Sequence, residues 1–160
     1  MKLRESIDRI IYMILAGLMA VMVINVLWQV LSRYIFTSPS SWTEELARYL
    51  LIWIGLLGAG YVTGKKLHLA IDLLPSKLTG VKAKRLNIVI NVLVALFAFF
   101  VLIWGGLNLV YITYVLEQPS PALGIPLAFI YTVLPFSGIV IIYYSLDNLF
   151  RPVPLKNTEA

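Results

Sequence analysis

Two residues between the second and third apolar stretches could carry out proton chemistry. His68 and Asp72 are spaced i, i+4 and would share one face of a helix. A His/Asp pair close to a membrane can act as a proton relay. The simpler interpretation, which we favour, is a local hydrogen bond that fixes the turn.

A second group of charged residues surrounds the beginning of the second apolar stretch. Glu44, Glu45 and Arg48 lie there, and Arg33 ends the first stretch. Opposite charges at neighbouring span ends attract one another where water is partly excluded. The sequence therefore predicts an ion pair of Glu44 or Glu45 with Arg33 or Arg48, which would tie the first two spans together at the outer surface.

Helix capping explains much of the same motif. Ser41 or Thr43 can serve as an N-cap, and acidic residues suit the positive end of a helix dipole. Trp42 is placed as an anchor at the membrane–water interface. We therefore expect a helix to begin in this region.

The composition offers no other reactive groups. The chain has no cysteine and one histidine, so a thiolate site or a multi-histidine metal site is impossible within this chain alone. No nucleophile with a base, metal-ligand set or phosphate-binding loop is visible. The sequence predicts a protein that is not an enzyme and that needs no cofactor.

Long apolar stretches must position these residues. The 160-residue chain is 60% hydrophobic and 13% charged, whereas soluble domains have about a quarter charged residues. Since a membrane span takes about 20 apolar residues, we expect an all-α integral membrane protein with one domain, 1–160, and spans at about 10–32, 44–64, 86–114 and 127–149. We also expect a short amphipathic interfacial helix at Leu67 to Pro75 and a disordered tail at 152–160.

The basic residues predict the orientation of the chain. Eleven of the 13 Lys and Arg residues fall in the N-terminus, the second connection and the tail. Cytoplasmic segments carry the Lys/Arg excess, so both ends are expected in the cytoplasm. Basic residues at span ends contact anionic lipid headgroups, so we attribute the pI of about 9.5 to membrane lipids and not to nucleic acid.

The interiors of the spans indicate helix packing. Gly60 and Gly64 form a small-xxx-small pattern that permits close helix approach. Pro135 and Gly138 predict a kink in the last span. No carboxylate lies at mid-depth, so a helical scaffold that works with a partner chain fits better than an independent carrier or channel, or than a membrane enzyme or assembly factor.

At these residues the chain resembles the small membrane subunit (the DctQ-like, or Q, subunit) of tripartite ATP-independent periplasmic (TRAP) transporters. The similarity runs through three motifs, which are Gln29-x-x-x-Arg33-Tyr34-x-Phe36, Trp42-Thr43-Glu44-Glu45-x-x-Arg48 with Trp53 and Gly55, and His68-x-x-x-Asp72-x-Leu74. The motifs cover the first two spans and their connections. The second half matches in hydropathy alone.

The resemblance implies a division of labour in the bacterial inner membrane. A periplasmic substrate-binding protein would deliver an organic acid, such as a C4-dicarboxylate, a sugar acid or sialic acid. A large membrane subunit, expected on a separate chain, would carry the substrate and sodium sites, and this chain would enlarge its static scaffold. The resemblance also implies structural or interface roles, and no substrate contact, for a set of motif residues: Arg33, Trp42, Glu44, Glu45, Arg48, His68 and Asp72.

The outer loops are the segments that could meet the binding protein. By the predicted topology these are Tyr34 to Trp42 and Gln118 to Ile125. We therefore expect this surface to help dock the binding protein.

Overall fold

The computed structural model describes residues 2–35, 40–65 and 81–150. These residues form seven helical segments in chain order: α1 (Lys2–Ile35), α2 (Ser41–Lys65), α3 (Val81–Phe97), a π-helical segment (Ala98–Gly105), α4 (Gly106–Val115), α5 (Leu127–Tyr131) and α6 (Val133–Phe150). The expected interfacial helix, the tail, His68 and Asp72 lie outside the described residues.

Four helical stretches are long and apolar enough to cross a membrane. They are span one (Arg4–Ile35), span two (Ser41–Lys65), span three (Arg85–Val115) and span four (Leu127–Leu149). Their lengths of 23 to 32 residues exceed the roughly 20 residues that a bilayer core requires. The predicted all-α, four-span membrane fold is confirmed, and the chain is a multi-pass membrane protein.

The spans pack side by side in the order one, two, four, three. α1 packs on α2, α2 packs on α6, and α6 packs on α3 and the π-helical segment. Span four is therefore internal to the row, and 39% of its most apolar window is buried, against 11 to 17% for the other three spans. The chain itself leaves most of its apolar surface uncovered.

Spans two and four approach closely at the predicted small-residue pattern. A Cβ atom on Gly60 would lie 3.0 Å from Cγ1 of Val140, and one on Gly64 would lie 2.6 Å from Cε1 of Tyr144. These distances leave no room for a side chain at Gly64 unless the Tyr144 ring moves. The pattern therefore lies at the interface between the two spans.

Spans three and four also meet through glycines. A Cβ atom on Gly138 would lie 2.8 Å from Cγ1 of Ile103 and 3.2 Å from the carbonyl oxygen of Ala98, both in the π-helical segment. A Cβ atom on Gly106 would lie 2.8 Å from Cβ of Leu134. The sequence analysis did not predict the π-helical segment.

Span four is interrupted near its N-terminal end, which we call its outer end after the orientation that the Lys/Arg distribution predicts. α5 ends at Tyr131 and α6 begins at Val133, so the regular helix breaks at Thr132. Pro135 has no N–H to donate to the carbonyl four residues earlier, that of Tyr131, and its ring crowds the same carbonyl. The interruption therefore lies one turn before the proline that predicted a kink.

Candidate functional site

The carboxylate of Glu45 joins span two to the connection between spans three and four. Its Oε2 accepts hydrogen bonds from the backbone N–H groups of Ala122, at 2.8 Å, and Leu123, at 3.0 Å. Its Oε1 accepts one at 2.6 Å from the hydroxyl of Tyr49, one turn along α2. Glu45 is buried, with 8% of its surface exposed. We call these four residues the outer carboxylate site.

A tight turn presents the two N–H groups to Glu45. Pro119 and Pro126 form an isolated antiparallel bridge, and the N–H of Ser120 donates to the carbonyl of Ile125 at 2.8 Å. Between these bridged residues the N–H of Gly124 donates to the Ser120 carbonyl at 2.9 Å. Gly124 has a φ of +66°, in the left-handed region. Successive N–H groups in such turns form a concave anion-binding nest, and here the anion is a side chain of the same chain.

Two further hydrogen bonds join the spans in the outer half of the molecule. The amide of buried Asn25 in span one donates from Nδ2 to the carbonyl of Thr43 in span two at 2.8 Å. The indole N–H of Trp53 donates to the carbonyl of Ile130 in span four at 3.1 Å. Span two is thus bonded to both of its neighbours in the row.

The start of α2 differs in detail from the expected cap. The helix begins at Ser41, so Ser40 precedes its first residue. The hydroxyl of Thr43 donates to the Ser40 carbonyl at 2.8 Å, and the two hydroxyl oxygens lie 2.5 Å apart. The capping position therefore falls on Ser40, one residue before the predicted Ser41 and three before the predicted Thr43.

The predicted ion pair forms, but it does not tie spans one and two. Nη2 of Arg48 lies 3.5 Å from Oε1 of Glu44, one turn away on the same helix, and both side chains are about two-thirds exposed. Exposed pairs of this kind contribute little to stability. The expected link between the spans was wrong because Glu45 bonds to the loop before span four, and Arg33 pairs with neither glutamate in the described residues.

A polar cavity lies where the outer ends of spans one and two meet. Its volume is about 580 Å³. Seven residues line it: Gln29, Val30, Arg33, Tyr34, Ser40, Ser41 and Glu44. Arg33 therefore faces a space beside the outer surface. Trp42, close by, is 43% exposed.

At the opposite ends of the spans, Asp8 connects three helices. Its Oδ1 accepts a hydrogen bond from the hydroxyl of Tyr144 in span four at 2.5 Å. Its Oδ2 accepts one at 2.9 Å from Nζ of Lys65, the last residue of α2. Asp8 thus joins span one to spans two and four.

Arg4 completes this arrangement, which we call the inner polar cluster. Its Nη1 lies 2.5 Å from Oδ2 of Asp147, and its Nη2 donates to the carbonyl of Gly64. Nearby, Nδ2 of Asn148 donates to the carbonyl of Thr63 at 2.9 Å. Carbonyls near the last described residue of α2 are thus bonded by side chains from spans one and four.

Sequence reasoning missed the inner polar cluster. The usable signal was an acidic residue close to a basic one at the end of a span: Asp8 next to Arg9, and Asp147 four residues before Arg151. The tight turn around Gly124 was visible as a loop, but its bond to Glu45 was not. Among the residues that the structure describes, no group of three His, Cys, Asp or Glu side chains could hold a metal ion.

Both sites have the same chemical character. Each contains a buried or half-buried carboxylate that accepts hydrogen bonds from another helix or from a loop. Such an arrangement joins helices; it offers no reacting atom to a substrate. The two sites therefore bond spans one, two and four and the connection between spans three and four to one another.

Comparison with known proteins identifies the family. Residues 22–155 match the family described as "Tripartite ATP-independent periplasmic transporters, DctQ component". The chain is 29% identical over 158 residues to the sialic acid TRAP transporter small permease protein SiaQ of Vibrio cholerae, covering 96% of this chain and 87% of that protein. It is 26% identical over 151 residues to a putative TRAP transporter small permease protein of Haemophilus influenzae, covering 94% and 90%.

Other relatives are much longer than this chain. The isethionate TRAP transporter permease protein DctMQ of Oleidesulfovibrio alaskensis is 31% identical over 131 residues, which are 78% of this chain and 20% of that protein. The sialic acid TRAP transporter permease protein SiaT of Haemophilus influenzae is 35% identical over 77 residues, 48% and 12% respectively. The chain is therefore a transporter component and not an enzyme, and it belongs to the DctQ component family of TRAP transporters.

Proposed function

We propose that this chain is the small membrane subunit of a sodium-coupled, binding-protein-dependent TRAP transporter and that it serves as a static scaffold for a separate large membrane subunit. The open row of four spans carries the proposal. It is bonded into a unit at both membrane surfaces and leaves broad apolar faces for another protein. A large subunit whose transport domain moves across the membrane needs a static surface of this kind to move against.

We propose an organic acid as the substrate. The named relatives act in sialic acid and isethionate transport, and both compounds are small organic anions. A C4-dicarboxylate or another sugar acid would fit the same class. The groups that select the substrate would lie in the other subunits, because the carboxylates of Glu45 and Asp8 accept hydrogen bonds within this chain.

We also propose the orientation and location of the chain. Both ends would lie in the cytoplasm of a bacterium, with the four spans in its inner membrane. The Lys/Arg distribution supports this orientation. The inner polar cluster would then face the cytoplasm, and the outer carboxylate site would face the periplasm.

The periplasmic surface would help to dock the substrate-binding protein. Arg33 beside the outer cavity and the turn held by Glu45 are the described parts of this surface. Charge reversals at Arg33 and Glu117 would then raise the concentration of binding protein that gives half-maximal uptake. Unchanged uptake at every binding-protein concentration would contradict this docking role.

Purification and reconstitution test the scaffold function. We expect the chain, tagged at its C-terminus and extracted in mild detergent, to recover a much larger hydrophobic subunit in a stoichiometric ratio. Liposomes with the large subunit, the binding protein and a sodium gradient should take up the organic acid only when this chain is added. Recovery of this chain alone in several detergents, or uptake by this chain alone, would instead favour an independent carrier.

A further inference from the structure

One amide in the spans differs from the other asparagines. Three asparagines are buried and donate from Nδ2 to a backbone carbonyl at 2.8 to 2.9 Å: Asn25, Asn91 and Asn148. Asn108 is exposed on α4. Within residues 2–35, 40–65 and 81–150 its side chain makes no hydrogen bond.

Asn108 lies inside the apolar part of span three. It precedes the last residue of the span, Val115, by seven residues, or about 10 Å along the helix. Its neighbours in sequence are leucines. Acyl chains offer no hydrogen-bonding group, so an amide at this depth gains a partner only from protein.

The same face carries two more side chains that can form hydrogen bonds. Trp104 and Tyr111 lie about one turn before and one turn after Asn108, and they are 71% and 67% exposed. We call Trp104, Asn108 and Tyr111 the outer stripe. Aromatic residues at the membrane interface are common, so the amide is what distinguishes this face from an ordinary aromatic belt.

Gly105, one turn before Asn108, has no steric role inside the chain. A Cβ atom at this position would meet nothing closer than the carbonyl oxygen of Phe100, at 3.7 Å. Its neighbour Gly106, in contrast, is required by the contact with span four. An exposed glycine beside an exposed amide permits a second helix to approach closely and to hydrogen-bond.

We propose that the outer stripe and Gly105 form a docking face for a transmembrane helix of the large permease subunit, with Asn108 bonded to a polar group of that helix. This inference rests on the proposed function and adds the place of contact. Span three ends the row, so no described helix packs on the side of span three that faces away from span four. In DctMQ the segment that matches this chain is one-fifth of a longer polypeptide. The remaining four-fifths are therefore present in a one-to-one ratio with the matched segment. That ratio argues for the large subunit over a second copy of this chain.

Substitutions with a matched control test the face. Asn108→Leu removes the amide, Gly105→Leu blocks close approach, and Gly17→Leu replaces an exposed glycine of span one with nothing within 4 Å of its Cβ position. In a detergent dilution series, we expect the first two variants to weaken recovery of the large subunit about three- to twentyfold, and Gly17→Leu to match the unsubstituted chain. Wild-type recovery with both test variants, or an equal loss with Gly17→Leu, would overturn the inference.

A photocrosslinking residue at Trp104 in native membranes gives an independent readout. A crosslink to the large subunit supports the docking face. Crosslinks to lipid alone, or to a second copy of this chain, overturn it. The unsubstituted chain distinguishes failure of the docking face from failure of the proposed function. If the unsubstituted chain recovers no large subunit, the scaffold function fails. If it recovers the large subunit but Trp104 crosslinks to something else, the docking face alone fails.

Discussion

At the scale of single residues, two neighbouring glutamates lie in opposite environments. Glu44 is exposed and pairs with Arg48 on its own helix, whereas Glu45 is buried and accepts three hydrogen bonds. Their order on the helix decides this, because residues one position apart point about 100° away from each other. Glu45 faces the turn before span four, and Glu44 does not.

This difference predicts a matched pair of variants. Glu45→Gln replaces one carboxylate oxygen by an NH₂ group, which cannot accept from Ala122 and Leu123 or from Tyr49. We expect it to lower the midpoint of thermal unfolding in detergent, and Glu44→Gln to leave the midpoint unchanged. Equal midpoints for both variants would contradict the role assigned to the outer carboxylate site.

Glycines in span two give a second prediction at this scale. Gly64→Ala places a methyl group 2.6 Å from the ring of Tyr144, whereas Gly55→Ala places one in open space. Overpacking of this kind costs about 1–3 kcal/mol. We expect Gly64→Ala alone to lower the thermal midpoint in detergent. An unchanged midpoint with Gly64→Ala would mean that the Tyr144 ring moves aside without cost.

At the scale of helices, polar contacts between the spans fix how the row is held together. Asn25 bonds span one to Thr43 near the start of span two, and Trp53 in the middle of span two bonds to Ile130 near the start of span four. At the inner end Asp8 and Arg4 bond span one to both. Because packing between apolar helices gains little from the hydrophobic effect in lipid, these polar contacts add directed bonds to the packing.

A conservative change at the inner end tests one of these links. Tyr144→Phe removes the hydroxyl that donates to Asp8, and we expect a loss of about 1 kcal/mol of stability. Tyr143→Phe is the control, because the Tyr143 hydroxyl makes no hydrogen bond within the described part of the chain. Chemical unfolding of both variants in mixed micelles is the measurement. Unchanged stability of the Tyr144→Phe variant would mean that the hydrogen bond from Tyr144 to Asp8 contributes nothing, and that Asp8 acts through Lys65 alone.

Sequence predicts the helices better than their contacts, for a physical reason. Hydropathy reports how each segment partitions into a bilayer, which depends on local composition, so four spans could be predicted. The bond between Glu45 and Leu123 joins residues 78 positions apart, and the row order places span four between spans two and three. Neither follows from partitioning, because apolar faces toward lipid and toward another helix have the same composition.

At the scale of the whole molecule, the row divides into two hairpins that meet through spans two and four. The first hairpin is spans one and two, and the second is spans three and four. The connection at 66–80 joins the hairpins, and the turn at 116–126 lies within the second. The turn carries the two backbone N–H groups that donate to Glu45.

A cut in the purified protein distinguishes these connections. A protease site placed within 66–80 and cleaved after folding should leave the two hairpins together on a sizing column, since spans two and four remain in contact. A cut between Ala122 and Leu123 should lower the thermal midpoint, because it breaks the turn that binds Glu45. Separation of the hairpins after the first cut would contradict the packing of span two on span four.

The order of the row also determines when each span can pack on its neighbours during biosynthesis. Spans leave the ribosome in chain order, so span three enters the membrane before span four, the helix on which it packs, has been made. Until then the surface around Gly106 faces lipid or the insertion machinery. Span four is made last and lies between its two neighbours, so the row closes in a single late step. A nascent chain that stops before Leu127 contains three spans and lacks span four, which joins span three to span two.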